Sequence, residues 1–269
     1  MPTLRGDGKA PEWRRALVTG ASSGIGRAFA VALATAGSNL VVVGRRADRL
    51  GELAAELQTA HGCDVEVVVA DLTDADALGG VEGRLADGER PVDLLVNSAG
   101  FGTSGSFADL PLDREEAEIR LNVLAPVRLS KAALAGMLER GRGGIVNVSS
   151  VASLQPLPYW ATYGATKAYL TSFSEAVHEE VRGRGVTVLA LMPGFTHTEW
   201  HGIAGMPAVH LPASLWLSAD QVATAGLRAL RRGQAGHVVG LRYQIMATLS
   251  RMTPRAVSRR IVALGSHPS

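Results

Sequence analysis

Short, almost wholly apolar runs recur along the chain, each followed by glycine or small polar residues. The runs at 16–18, 40–43, 65–70, 94–96, 145–148 and 186–191 have strand length, and 237–241 reads as a further one. They do not alternate polar with apolar residues, which predicts strands covered on both faces, the situation of a parallel sheet under helices. Between them the apolar positions return every three or four residues. Phe29, Ala30, Leu33 and Ala34 follow the first run, and Leu50, Leu53, Ala54 and Leu57 the second. A long helical stretch at 112–138 precedes the fifth. Ser218 and Gln221 spell a capping box ahead of a helix carrying Val222, Leu227 and Leu230. The alternation predicts an α/β fold: one domain, a doubly wound parallel sheet of about seven strands with helices on both faces.

Composition narrows this only a little. The chain has 269 residues, 46% of them hydrophobic, enough for one large core. A net charge of +2 without a basic stripe argues against nucleic acid as a partner. The single Cys63 excludes an internal disulfide and a cysteine-cluster metal site, and suits a reducing cytoplasm. Residues 1–12 lack the apolar segment of a signal peptide and read as a flexible tail. No run approaches the roughly 18 apolar residues of a spanning helix. At the other end, residues 243–269 form a basic amphipathic extension. There Ile245, Leu249, Met252, Val257, Ile261 and Leu264 interleave with Arg251, Arg255, Arg259 and Arg260. Packing on the chain's own lid or on a partner subunit is the preferred reading, with peripheral membrane contact as the alternative.

The chemistry sits where the runs end. The first leads into TGASSGIG at 19–26 and then a helix, a context in which glycines let the backbone approach a pyrophosphate and the helix N-terminus supplies free N–H groups. Its spacing is G-x-x-x-G-x-G, not the commoner G-x-G-x-x-G. Where a dinucleotide fold expects an acid for the ribose, 19 residues past Gly26 (45 − 26), stands Arg45, followed by Arg46. A guanidinium there suits a 2′-phosphate, so NADP(H) is expected in preference to NAD(H). Asp71, followed by Leu72, either meets an adenine edge or caps the next helix. Asn97, Ala99 and Gly100 end the fourth run with residues small enough for a ligand to approach, while Asn122 interrupts an apolar helix and must find partners. Tyr163 and Lys167 are one helical turn apart, and Lys167 is one of only three lysines in the chain. An ammonium beside a phenol favours the phenolate and is expected to lower its pKa from about 10. Ser150, with Ser149 as its neighbour, offers a hydroxyl for the reacting oxygen. HTEWH at 197–201 lacks the HExxH spacing, so no metal is expected.

Together these residues resemble the short-chain dehydrogenase/reductase family. TGASSGIG at 19–26, NSAG at 97–100, Asn122, Ser150, YGATK at 163–167 and PGFTHT at 193–198 match its motifs in order, over about residues 13–242. Ser150 precedes Tyr163 by 13 (163 − 150), in the family register; Ser149 is one place out. The resemblance implies a Rossmann-type fold and a site of Asn122, Ser150, Tyr163 and Lys167. In that site Tyr163 is acid in reduction and base in oxidation, and Lys167 lowers its pKa and holds the nicotinamide ribose. Ser150 polarises the carbonyl, and Asn122 holds a water that links Lys167 to solvent. It further implies that Gly20, Ser22, Ser23, Gly24, Ile25 and Gly26 cradle the phosphates and Asp71 meets the adenine. Asn97 positions the central helix and cofactor, Pro193, Gly194 and Thr196 face the nicotinamide, and Thr198 lies near the phosphates. The chain departs from the family where many members end, at an Asp-Gly-Gly-like terminus that builds a tetramer. A homodimer through the helices of Asn122 and Tyr163, or another homo-oligomer, is expected instead.

The segment at about 195–217 is the expected substrate lid, rich in Phe195, Trp200, Ile203, Met206, Val209, Leu211, Leu215 and Trp216. With Trp160 it suits a hydrophobic ketone or alcohol better than a sugar; packing of the lid onto the domain explains the same residues equally well. The leading expectation is an NADP(H)-dependent oxidoreductase interconverting a ketone or aldehyde with an alcohol. The alternatives are an NADP-dependent dehydrogenase of small hydroxy amino acids and a non-catalytic NADPH-binding sensor.

Overall fold

A computed structural model describes residues 12–199, 212 and 215–252, with backbone only at 250–252. Seven strands form one sheet: β1 (Arg15–Thr19), β2 (Asn39–Gly44), β3 (Val65–Val69), β4 (Leu94–Asn97), β5 (Gly143–Val148), β6 (Val186–Met192) and β7 (Gly236–Val238). Their order is β3-β2-β1-β4-β5-β6-β7 and every pairing is parallel. β1 lies between β2 and β4, so the crossovers reverse direction there and open a crevice at the carboxyl ends of β1 and β4. The seventh strand is shorter than the apolar run suggested, because the chain turns into a helix at Leu241.

Two helical layers explain the unbroken apolar runs. Successive strand residues feed opposite cores. Ala16, Val18, Leu40, Val42, Val146 and Leu191 pack with α1 (Gly24–Thr35), α2 (Ala47–His61) and α7 (Ala219–Arg231). Leu17, Val41, Val43, Leu95, Ile145 and Val188 pack with α3 (Ala75–Ala86), α5 (Ala125–Glu139) and α6 (Ala161–Glu180). Local signals set the ends. Asp74 caps α3 by accepting the N–H groups of Asp76 and Ala77, and Ser218 with Gln221 forms the complete capping box of α7.

The long stretch expected at 112–138 has a fault in it. α4 (Leu112–Ile119) passes into a π-helical segment (Arg120–Leu124) before α5 begins, and Ala125 N–H reaches back five residues to the Arg120 carbonyl. Pro126 accounts for it. It has no N–H for the carbonyl of Asn122, and its ring would crowd that carbonyl in regular α geometry. The fault puts Asn122 at the widest point, fully buried. The 28-residue stretch Leu112–Glu139 is long and apolar enough, by length and composition alone, to cross a membrane, contrary to the expectation from the sequence. Its apolar residues Leu129, Ala133 and Met137 lie in the core beneath the sheet.

Helix α8 (Leu241–Met252) crosses the expected boundary at 242–243. Tyr243 and Ala247 face inward and are buried, while Ile245, Met246 and Leu249 are exposed. Residues 253–269, with Arg255, Arg259 and Arg260, lie outside the described residues.

Candidate active site

At the end of β1 the Thr19 hydroxyl accepts the N–H groups of Ser98 and Ala99, both at 3.0 Å, drawing the end of β4 against the glycine turn. Gly20 has φ +67°, and a Cβ there would stand 2.9 Å from the Ala99 backbone. One at Gly26 would stand 2.3 Å from the Gly20 carbonyl oxygen. The N-terminus of α1 can therefore sit directly on the turn. Its N-cap, Ser23, makes no side-chain cap bond, and no acidic residue lies in the first turn. The free N–H groups and the positive end of the helix dipole are left for an anion in the crevice.

The two arginines have different surroundings. Arg46 donates to the Ser22 hydroxyl at 2.9 Å and the Ser23 hydroxyl at 2.7 Å, and pairs with Glu199 at 2.9 Å. Arg49 pairs with the same Glu199 at 2.7 Å. Arg45 instead faces Asp71 at 3.6 Å. Burial raises the Asp71 carboxyl, but hydrogen bonds from the Thr73 N–H and hydroxyl and the Arg45 charge bring it below the ordinary aspartate value. Asp71 does not cap the following helix; Asp74 does.

On the other side of the crevice, Tyr163 and Lys167 project from the first turns of α6. Ser150 lies at the end of β5, hydrogen-bonded to Tyr163 and accepting the Ala152 N–H at 3.1 Å. Ser149 is turned away, bonded to the Lys167 carbonyl at 2.9 Å and the Thr171 hydroxyl at 2.7 Å. Lys167 Nζ donates to the Val148 carbonyl at 2.9 Å and stands 5.8 Å from the centre of the Tyr163 ring. Gly100 admits this crowding: a Cβ there would meet Asn122 Oδ1 at 2.9 Å and Lys167 Nζ at 3.4 Å. Asn122 donates to the Phe101 carbonyl at 2.8 Å and to Thr166 Oγ1 at 3.2 Å.

The expected lowering of the Tyr163 pKa by Lys167 is not found. Burial pushes the phenol up to about 12; the Ser150 hydrogen bond opposes this, and the nearby Glu118 charge adds to it. Burial pulls Lys167 down to about 8, against the favourable charge of Glu118. At this depth desolvation outweighs an ammonium that is already spent on a carbonyl. A protonated phenol near neutrality is the state needed to give a proton to a developing alkoxide.

One cavity of about 560 Å³ joins the two ends. Its wall runs from Ser22, Ser23, Gly24, Ile25, Arg45, Arg46, Asp71 and Leu72, past Ala99, Gly100, Pro193, Gly194, Thr196 and Thr198, to Ser150, Tyr163 and Lys167. Leu157, Trp160 and Phe195 make the end at Ser150 and Tyr163 apolar. Trp216 does not line it; it stacks on His197, with ring centres 4.5 Å apart. Trp200, Ile203, Met206, Val209 and Leu211 lie outside the described residues, as does His201. Among the described residues no cluster of His, Cys, Asp and Glu could hold a metal.

Asn97, expected to position the central helix and the cofactor, bonds within the layer beneath the cavity. It is buried and does not line the cavity. Its amide donates to Asn147 at 2.8 Å and Ser130 at 3.3 Å, and Asn147 donates to Ser174 at 2.8 Å. The chain of bonds ties β4 and β5 to α5 and α6 beneath the site. Asn122 also lies behind the wall, one layer from Lys167.

A fold with this crevice and this pair of ends is shared with known proteins. The sequence profile of the short chain dehydrogenase family matches residues 14–203. The chain belongs to this family. Among relatives, it is 31% identical to a very-long-chain 3-oxoacyl-CoA reductase of Anas platyrhynchos over 243 residues, 87% of this chain and 76% of that protein. Among solved structures, a short-chain dehydrogenase from Sphingobium yanoikuyae in complex with NADPH superposes with a TM-score of 0.81 at 34% identity, covering 95% of this chain and 96% of the other. A bulky-bulky ketone specific alcohol dehydrogenase from Comamonas testosteroni superposes with a TM-score of 0.77 at 31% identity, covering 89% and 93%. This short-chain dehydrogenase is thus an oxidoreductase of CH–OH and C=O groups that uses a nicotinamide dinucleotide. The cradle at Gly20–Gly26, with its unpartnered helix end and close-set serine and arginine side chains, fits such a group.

Several residues escaped the sequence reading. Tyr243 packs under Gly194, where a Cβ would fall 2.1 Å from its ring. Its hydroxyl accepts the Phe195 N–H at 3.1 Å and donates to the Leu215 carbonyl at 2.7 Å, clasping both ends of the lid. In the sequence Glu199 stands out only within HTEWH, and Glu115, Glu118 and Thr103 carry no motif. A Gly26→Ala substitution is expected to abolish dinucleotide binding by forcing α1 off the turn, with a fall in Tm. Fluorescence titration with NADPH alongside a thermal melt checks this, and wild-type affinity in the variant contradicts the cradle.

Proposed function

We propose that this enzyme prefers NADP(H) and interconverts a hydrophobic ketone with its secondary alcohol, through Ser150, Tyr163, Lys167 and Asn122. The observation that carries the reading is the single cavity with an Arg46–Ser22–Ser23 cluster at one end and apolar walls around Ser150 and Tyr163 at the other. A nicotinamide dinucleotide, when bound, supplies or accepts the hydride. The residues do the rest. In reduction, Ser150 and Tyr163 donate hydrogen bonds to the carbonyl oxygen as it gains charge, and Tyr163 gives up its proton. In oxidation the phenolate takes the alcohol proton, and rising pH favours that direction. Lys167 offers positive charge to the ribose and to the phenolate, while Asn122 holds the loop at Phe101 and the start of α6 in register.

Relatives support the substrate class without naming the substrate. One solved neighbour is specific for bulky-bulky ketones and a curated relative reduces very-long-chain 3-oxoacyl-CoA; Leu157, Trp160 and Phe195 suit either kind of carbon chain. A homodimer through α4, α5 and α6 is part of the proposal, supported by exposed Ile119, Leu124 and Tyr169.

The reading is tested with a ketone panel assayed by NADPH and NADH oxidation. Tyr163→Phe is expected to lower turnover by at least about 10²-fold with NADPH binding nearly intact; wild-type turnover would falsify the assignment. Arg46→Ala is expected to weaken NADPH about tenfold while leaving NADH nearly unchanged. A wild-type preference for NADH removes the phosphate argument. In sedimentation equilibrium the wild type is expected as a dimer and Ile119→Asp as a monomer; a monomeric wild type rejects the interface.

A further inference from the structure

Beneath Tyr163 and Lys167 lies a pair of carboxyls that the reaction as described does not use. Glu115 and Glu118, on α4, are 4% and 0% exposed. Both approach one hydroxyl: Thr103 Oγ1 is 2.5 Å from Glu115 Oε1 and 2.8 Å from Glu118 Oε2. Thr103 N–H also donates to Glu118 Oε2 at 2.9 Å, and the Thr162 hydroxyl of α6 donates to the other Glu115 oxygen. Glu118 Oε1 is buried without a hydrogen-bond partner among the described residues.

The count of hydrogens is decisive. Thr103 carries one hydroxyl hydrogen and cannot fill two oxygen–oxygen contacts of this length. The second needs a proton on a carboxyl, and two like charges this close in the interior raise the pKa at which the last proton leaves. One shared proton satisfies both contacts: in one arrangement Glu115 donates to Thr103 and Thr103 to Glu118. A concerted shift reverses it. The Glu115 O–H bond breaks as its proton joins the Thr103 oxygen, and the Thr103 proton forms a new O–H bond with Glu118. No atom or electron is left over.

The position of the pair gives it something to act on. The rungs Glu115–Thr162 and Asn122–Thr166 join α4 and its π-helical continuation to α6, and Glu118 lies between them in sequence. The titratable groups facing Glu118 are Glu115 on its own helix and Lys167 and Tyr163 on α6; the loop at 101–103 brings none. Resting on the catalytic reading above, we propose that Glu115 and Glu118 are a proton-sharing pair. Glu118 is then a positioning residue whose charge keeps the buried Lys167 an ammonium and is switched off when the shared proton crosses Thr103. Burial, with Glu115 adding to it, lifts the Glu118 carboxyl to about 7 against the Thr103 hydrogen bonds and Lys167, so the pair keeps its shared proton up to the physiological range.

The signs follow. Lys167 is charged below its own pKa, near 8, and that charge is lost as pH rises through it. Removing the Glu118 charge lowers this value, whereas removing Glu115 leaves Glu118 more fully ionised and raises it. Carbon-13 NMR of protein labelled at the glutamate side-chain carboxyl tests the pair without substrate or cofactor. Wild type is expected to show a carboxyl titrating near pH 7. Glu118→Gln loses it, and Glu115→Gln moves it to lower pH. If every glutamate in wild type titrates within the usual range around 4.3, the pair does not exist, and this holds even where a variant fails to fold. In kcat/KM for NADPH with a turned-over ketone, the falling limb is expected to move about one unit acid-ward in Glu118→Gln and alkaline-ward in Glu115→Gln. Rates that drop in both variants with the limb unmoved show a purely structural role and overturn the proposal. Lack of turnover in wild type, with the NMR titration present, instead rejects the catalytic reading alone.

Discussion

An ammonium group buried in a protein interior is the constraint around which this site is built. Lys167 is 6% exposed, and a charge at that depth is tolerable only where fixed dipoles and counter-charge replace water. The carbonyl of Val148, freed where β5 ends, supplies one partner at 2.9 Å. The Glu118 charge supplies another across the α4–α6 contact. Bringing these to one place requires that Gly100 have no side chain and that the helix before α5 open into a π segment at Asn122. The Pro126 that forces this opening does not line the cavity, yet the geometry at Lys167 depends on it.

The sheet supplies rigidity and the loops supply chemistry. Because strand residues are buried on both faces, register is strongly held, and the carboxyl ends of β1, β4, β5 and β6 stop at fixed depths along the crevice. Thr19 pins β1 to the loop after β4, and the Asn97–Asn147–Ser174 bonds pin β4 and β5 to α6. Tyr243 from α8 joins Phe195 to Leu215, and Glu199 pairs with Arg46 and Arg49. The Arg46–Glu199 contact also puts a carboxylate beside the Arg46–Ser22–Ser23 cluster.

Most of the architecture was legible in the sequence, because it rests on local signals. Seven apolar runs, the glycine turn, the capping box at Ser218 and the four-residue spacing of Tyr163 and Lys167 all act within a few residues of chain. Boundaries were less legible: the seventh strand gives way to α8 because Tyr243 packs under Gly194, a contact between residues 49 apart (243 − 194). Of the predicted site residues, Asn97 and Asn122 lie behind the cavity wall. Strand and helix patterns say which residues are inside, but not which of two buried layers each one reaches.

By itself the sequence determined the fold class, the place of the glycine cradle and the identity of Ser150, Tyr163 and Lys167 as a set, since spacing and order are properties of the chain. The tertiary structure decided the protonation chemistry. The depth of burial and the approach of Glu118, which push the Tyr163 phenol up, are set by how α4 packs on α6. It also decided that Glu115 and Glu118 share one hydroxyl, for Thr103 lies on a separate loop, and no periodicity along α4 brings that loop to it.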